Sequence, residues 1–337
     1  MKILVIRLSS LGDVILTTAL LPNLKAHWPR AEVSVLTREE YAPVFDRNPY
    51  VDHLLMFNPL KQTFSQLTQE IRAMGFDLVI DLHGNMRSFL VRLVTGAPKT
   101  VRVEKNSFAR WFLVVFKQSS ASLKKSVREK ILECLPPLDI PLASTDTQLY
   151  PMHPGGVLSS LSIDPAARLI GLAPGAKHAT KRWKPEFFAQ VANQLGQRTK
   201  SMILILGDKS DQAVADQVSR LVTVPHKNLA GWTNLNELMA VVSTLSLLVT
   251  NDSGLMHMGE ALKIPLVALF GPTVREFGFA PYRDSSRLLE CADLSCRPCS
   301  LHGEDRCPLQ HHRCMEQLRP EPVLSAAENL LKRSALS

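Results

Sequence analysis

Four loops in this sequence combine small residues, carboxylates and cations at spacings that suit phosphate and sugar chemistry. The strongest is Asn251-Asp252-Ser253-Gly254, which follows the apolar run Leu247–Thr250 and leads into Leu255-Met256-His257. Small polar residues turning a strand into a helix leave the first helical N–H groups without partners. Those donors and the helix dipole together hold phosphate. His257 falls one turn along, within reach of the same ligand. An ordinary N-cap with a half-buried histidine would give the same letters.

The second loop, Pro174-Gly175-Ala176 through Lys181-Arg182-Trp183, sets three cations and His178 beside a Pro-Gly turn. It reads either as a pyrophosphate clamp with Lys181 as the point charge or as an exposed basic loop. Trp183 reads as packing. The third, Gly207-Asp208-Lys209-Ser210-Asp211, offers a carboxylate for ribose hydroxyls or a helix cap. In the fourth, Leu8-Ser9-Ser10-Leu11-Gly12-Asp13, Gly12 lets the backbone approach a ligand and Asp13 enters the first helical turn. The loop serves a ligand, or Asp13 only favours the helix dipole and Ser10 only caps. No GxGxxG is present, which argues against a tightly bound NAD or FAD.

Strands and helices must place these loops at one sheet edge. Apolar runs at Ile3–Arg7, Val33–Leu36, Leu54–Phe57 and Leu78–Asp81 read as strands, with helices near Val14–His27, Phe64–Met74 and Met86–Val94. The pattern restarts with strands at Leu169–Ala173, Met202–Leu206, Leu247–Thr250 and Leu266–Phe270. Helices lie between them near Pro185–Arg198, Asp211–Leu221, Leu235–Thr244 and Leu255–Leu262. Near-continuous apolar strands separated by helices imply α/β parallel sheets covered on both faces. A Pro/Gly-rich stretch at 135–164 separates the halves. The expectation is two Rossmann-like domains facing a central cleft, residues 1–155 and 156–318. A last helix within 319–337, near Glu321–Lys332, is expected to pack back towards the first.

The 337 residues are 45% hydrophobic and 21% charged, ordinary for a globular chain of about two domains. The start, Met1–Ile6, has the apolarity of a signal peptide. Arg7, Asp13 and the lack of a small-residue cleavage site argue against one, so a cytoplasmic protein is expected. Net charge is +8. The stretch 87–130 alone holds 11 basic residues against Glu104 and Glu129, a local patch for a membrane surface, a phosphorylated acceptor or nucleic acid. A solvated face without a partner is the plain alternative.

Taken together, Asp13 in its Gly-Asp loop, Pro174-Gly175-Ala176 with Lys181-Arg182-Trp183, Asn251-Asp252-Ser253-Gly254-Leu255-Met256-His257 and Phe270-Gly271-Pro272-Thr273 resemble the bacterial heptosyltransferases of the lipopolysaccharide core. The order and spacing match over nearly the whole chain. The resemblance implies the two-Rossmann (GT-B) glycosyltransferase fold, ADP-L-glycero-D-manno-heptose as donor, and inverting transfer without a divalent metal or catalytic cofactor. It carries Asp13 over as general base and Lys181 as diphosphate contact. Asp252, Ser253, Gly254 and His257 become donor-site residues, with Ser10, Gly12 and Gly175 counted with them. Asp211 falls where the family has a ribose-binding carboxylate, more commonly Glu.

That resemblance gives the basic segment a use. A lipid A–Kdo acceptor carries phosphates and carboxylates and lies in the inner membrane. The mixture of aromatics and cations in 108–117 suits an interfacial segment, so peripheral docking at the inner face through 87–130 is expected. A buried helix at 108–116 would show the same apolar residues. Cys296-x2-Cys299, Cys307 and Cys314 have fair spacing for a structural zinc, an iron–sulfur cluster, or four reduced thiols. Two rivals remain: a same-fold transferase with another donor or acceptor, and a basic nucleic-acid-binding protein with a zinc module. The second leaves Asp13 and the 251–254 turn without a purpose, so no nucleic-acid partner is expected.

Overall fold

The computed structural model describes residues 1–120 and 123–334. Residues 335–337 of the expected last segment, and 121–122 of the basic segment, lie outside the described residues. The chain divides into two compact units: Met1–Asn106 with Lys125–Tyr150, and Ser107–Lys124 with Pro151–Ser337.

In the first unit, β1 (Lys2–Ile6), β2 (Glu32–Arg38), β3 (His53–Phe57), β4 (Leu78–Asp81) and β5 (Lys99–Arg102) form one sheet in the order β3-β2-β1-β4-β5. Every pairing is parallel. Ile3, Leu4, Val5 and Ile6 are fully buried, because helices cover both faces of a parallel sheet. The chain runs outward from β1 in one direction and then in the other. The order therefore reverses between β1 and β4, where α/β sheets bind ligands.

The helices start where capping chemistry allows. Thr63 caps α3 (Phe64–Met74) with Gln66 answering, and Asn85 caps α4 (Met86–Thr95) with Ser88 answering. Both end at glycines with positive φ, Gly75 and Gly96. The single helix expected over Val14–His27 is two, α1 (Leu11–Thr17) and α2 (Leu21–His27). Pro22 sits in the first turn of α2, where its missing N–H costs nothing but forbids continuation from α1.

The second unit repeats the scheme with six parallel strands, in the order β11-β10-β9-β6-β7-β8. These are β6 (Leu169–Ala173), β7 (Met202–Ile205), β8 (His226–Asn228), β9 (Leu247–Asn251), β10 (Leu266–Phe270) and β11 (Ser286–Glu290). Its order reverses between β6 and β9. The last helix, α13 (Pro320–Ser334), belongs to this unit. Val323, Leu324, Ala327, Leu330 and Leu331 join Trp183 and Phe188 in the core of the second unit. Each of the valine and leucine side chains contributes roughly 1.5–3 kcal/mol on burial, which fixes the helix on this sheet.

Residues 107–124 also go with the second unit, although they precede the chain crossing near Tyr150. Leu113 of α5 (Ser107–Phe116) and Leu123 pack with Phe277 there. Among the described residues no helix is long and apolar enough to cross a membrane.

Candidate active site

At the reversal point of the second sheet, the loops after β6 and β9 bring Lys181 and Asp252 together. Lys181 Nζ stands 2.7 Å from Asp252 Oδ2. The same carboxylate accepts a hydrogen bond from Thr273 Oγ1 at 2.7 Å, on the loop after β10. Burial alone would raise the Asp252 carboxyl, but the Lys181 ammonium, Thr273 and the nearby His257 outweigh it and hold it below its usual value. His257 is buried, with its ring edge-on to Phe279 at 6.0 Å.

Ser253 is the N-cap of α11 (Gly254–Ala261), yet its side chain makes no capping hydrogen bond. The first-turn N–H groups of α11 are thus left for an incoming anion. Asn251 ties the two loops together. Its amide donates to the Pro174 carbonyl at 2.8 Å, and its oxygen accepts from the Trp183 N–H at 3.2 Å. Asn251 has no charge to announce it; the signal is its place as the last residue of β9.

Asp211 lies against the same edge. A Cβ on Gly175 would come within 2.0 Å of its carboxyl, so only glycine lets the β6 loop pass. The carboxylate closes a capping box on the Asp208 N–H at 3.2 Å. Its capping role is therefore present, and its other oxygen accepts no hydrogen bond among the described residues. Burial, then the Asp208 charge, push its carboxyl up.

At the reversal point of the first sheet, Asp13 meets a partner that carries no motif. Arg7, the residue after β1, places a guanidinium nitrogen 2.6 Å from Asp13 Oδ1. The Ser10 hydroxyl donates to Oδ2 at 3.0 Å. Burial would raise the Asp13 carboxyl; Arg7 and Ser10 together hold it below the usual carboxylate range. Arg7 is itself buried and also donates to the carbonyls of Ser9 and Leu82, which joins the loops after β1 and β4. Gly12 is buried in the first turn of α1. On the β4 loop, His83 has a buried Nδ1 with no hydrogen-bond partner. Burial, then the Arg7 and Lys105 charges, push its imidazole down to about 4, so it is neutral at pH 7.

The structure does not support the zinc expected on Cys296, Cys299, Cys307 and Cys314. All four are free thiols, and the described residues contain no group of three or more His, Cys, Asp or Glu able to hold a metal. Cys314 is drawn into the apolar core beside Met315 and Leu318. Cys299 donates to the Cys296 carbonyl, and burial, reinforced by neighbouring thiols, pushes Cys299 up to about 11 and Cys314 up to about 12. The loop is pinned by Arg297 instead. Its buried guanidinium donates to the carbonyls of Gly271, Thr273 and Cys291 and to Glu290. Downstream, the backbone of Glu304 exchanges hydrogen bonds with Thr180, next to Lys181.

The basic stretch 87–130 is not one patch. Lys117 donates to the Val114, Cys296 and Pro298 carbonyls, Lys125 pairs with Glu133, and Arg110 lies over the Phe279 ring. Arg87, Lys99, Arg102 and Lys124 remain exposed. On α5, Phe108, Trp111, Val115 and Phe116 are exposed as well.

Comparison with known proteins agrees with this arrangement. A family profile described as glycosyltransferase family 9 (heptosyltransferase) matches residues 64–309. The lipooligosaccharide heptosyltransferase 2 of Campylobacter jejuni subsp. jejuni serotype O:2 is 27% identical over the full length of both chains. A solved glycosyl transferase family 9 structure from Veillonella parvula superposes with a TM-score of 0.83 at 26% identity, covering 98% of this chain and 97% of that one. The ADP-heptose lps heptosyltransferase II of E. coli shares the fold, with a TM-score of 0.79 at 24% identity over 99% of this chain and all of that one. The chain therefore belongs to glycosyltransferase family 9, the heptosyltransferase family, and is a glycosyltransferase with two parallel α/β sheets.

Proposed function

We propose that the protein moves L-glycero-D-manno-heptose from ADP-heptose to an inner-core sugar of lipopolysaccharide, Kdo or heptose, with inversion at the anomeric carbon. The observation that carries this is the reversal point of the second sheet. There a lysine, a buried carboxylate and an uncapped helix start share one edge, in a chain of this family. In this reading Asp211 and Gly175 receive the nucleoside, while Lys181, Ser253, Gly254 and His257 receive the diphosphate side of the donor.

Inverting transfer needs a base for the acceptor hydroxyl as the new bond forms, and that role falls to Asp13. Ser10 and Gly12 shape the approach to it. The proton goes to the Asp13 carboxylate, the hydroxyl oxygen bonds to the anomeric carbon, and ADP leaves with the electron pair. Lys181 and the α11 N–H groups stabilise the charge that ADP gathers, which is the work a divalent ion does in other phosphate chemistry.

The family names of relatives, the exposed aromatics of α5 and the free cations at Arg87, Lys99 and Arg102 support an acceptor of the lipid A–Kdo class met at the inner face of the inner membrane. The test is purified protein with ADP-heptose and a panel of truncated core acceptors, read by mass of the product. Transfer to one acceptor is the expected result. Transfer only from a different nucleotide sugar would replace this reading with the same-fold alternative. Stabilisation by duplex DNA and not by ADP would overturn both.

A further inference from the structure

The first unit carries an open cavity of about 360 Å3 that the donor chemistry does not use. Asp81, Gly84, Asn85, Met86, Phe89, Arg92 and Arg102 line it, at the ends of β4 and β5 and the start of α4. Its size falls in the ~300–1,000 Å3 range of small-molecule sites. The one carboxylate in the lining is already engaged. Asp81 accepts from the N–H groups of His83 and Gly84 at 2.9 and 2.8 Å, and from the Ser88 hydroxyl at 2.9 Å.

The cations are differently placed. Arg92 lies over the Phe89 ring at 5.4 Å, which steadies its guanidinium, and among the described residues neither Arg92 nor Arg102 forms a salt bridge. The Lys105 side chain runs over Gly84, 3.3 Å from where a Cβ would stand. The lining therefore combines the cations Arg92 and Arg102 with the apolar Met86 and Phe89. It adjoins the base: His83, on the same loop as Asp81 and Gly84, feels the charges of both Asp81 and Asp13.

We propose that this cavity is the subsite for an oxyanion-bearing acceptor sugar. Arg92 and Arg102 bind its carboxylate or phosphate as charge-assisted donors. Met86 and Phe89 pack against the C–H face of its ring, so that one hydroxyl is presented towards the Asp13 loop. The assignment rests on the acceptor reading given above, and a direct binding measurement separates the two.

Saturation-transfer NMR on the full chain would use three probes: a methyl glycoside of Kdo, a heptose phosphate and a neutral methyl heptoside. One or both anionic probes should bind the wild type, at least tenfold more weakly in Arg92→Gln and in Arg102→Gln, with the neutral probe weak throughout. Binding of the sugar acid alone identifies a carboxylate as the partner, and binding of the sugar phosphate alone a phosphate. Arg102→Gln, on an exposed edge strand, keeps the test open if Arg92→Gln misfolds. No binding of either anionic probe, or equal binding by wild type and variants, overturns the subsite. ADP stabilisation should be the same in all these proteins; its loss in the wild type would count against the donor reading and leave the subsite standing.

Discussion

Lys181 Nζ and Asp252 Oδ2 lie 2.7 Å apart with the side chains only 15% and 10% exposed, so the lysine charge is already balanced in the free protein. Under the proposed donor reading, an incoming diphosphate would share Lys181 with Asp252 and would not find it unpaired. This also makes the pair structural. Removing one partner of a buried ion pair leaves an uncompensated charge, at a cost of about 3–5 kcal/mol.

Lys181→Ala should therefore lower the urea midpoint and abolish stabilisation by ADP. The double variant Lys181→Ala with Asp252→Ala should be less destabilised than the sum of the singles, because neither buried charge is stranded. Strict additivity of the two changes in unfolding free energy would show that the pair is not coupled.

Asp13, as the proposed base, is expected to lose rate on substitution, with some loss of stability because buried Arg7 loses its counter-charge. Asp13→Asn keeps the shape and removes the base, so kcat should fall by on the order of 10²–10⁴ with the donor KM little changed. Arg7 sets the working pH. Because its guanidinium holds the Asp13 carboxyl low, the acid limb of kcat/KM should lie below the ordinary carboxylate range. Arg7→Gln should move that limb upward. A limb that stays in place would detach Arg7 from the base.

How much of this was legible in the sequence depends on how each residue announces itself. The central strands were readable because burial on both faces demands apolar runs, as in Leu169–Ala173. The edge strands β5, β8 and β11 were not. Lys-Thr-Val-Arg and His-Lys-Asn read as loop, because an edge tolerates the charges that block further pairing. Asp13, Lys181 and the 251–254 turn stood out because carboxylates, lysines and small turn residues after a strand have few other uses. Arg7 and His83 did not, since their roles lie in partners far along the chain: Leu82 for Arg7, Asp13 for His83. The cysteines are a different case. Their spacing suits a metal, but among the described residues no group of three or more His, Cys, Asp or Glu is placed to hold one, and Arg297 cross-links the loop.

His83 predicts how stability depends on pH. Its imidazole is pushed down to about 4 in the folded chain, against an ordinary value of about 6.5. Between those values the unfolded chain binds a proton that the folded chain does not, so stability falls as pH drops from about 6.5 to about 4. His83→Gln should lose less stability over that window. The difference, reduced by partial exposure of the ring, should be on the order of 1–2 kcal/mol. Asp13 and Asp252 also weaken the fold on acidification, but equally in both proteins. Parallel curves of urea midpoint against pH would remove the assignment.

Arg297 should matter at a distance from any ligand. It donates to the Thr273 carbonyl at 2.7 Å, and Thr273 in turn holds Asp252. Arg297→Ala strands several buried carbonyls and Glu290, at a cost of roughly 3 kcal/mol or more. The melting temperature should fall, and ADP should stabilise the variant less than the wild type even after that shift is allowed for. Arg297→Lys should recover only part of both, since one ammonium cannot reproduce the fork. Full recovery by lysine would mean that charge alone, and not the forked geometry, is what the loop requires.

The exposed face of α5 gives the last prediction. Phe108 is 75% exposed, Trp111 47% and Phe116 53%, an unusual concentration of aromatic surface on ten residues. Large rings left in water on a helix that buries only Leu113 suit the headgroup boundary of a bilayer. Wild-type protein should sediment with vesicles of anionic lipid, less as salt rises, because the exposed cations supply the attraction. Phe108→Glu with Trp111→Glu should abolish sedimentation while leaving turnover on a short water-soluble acceptor unchanged. If the double variant still sediments, the helix is not the contact, whatever the cations do. If it sediments normally and turnover falls as well, the aromatic face serves the reaction and not the membrane.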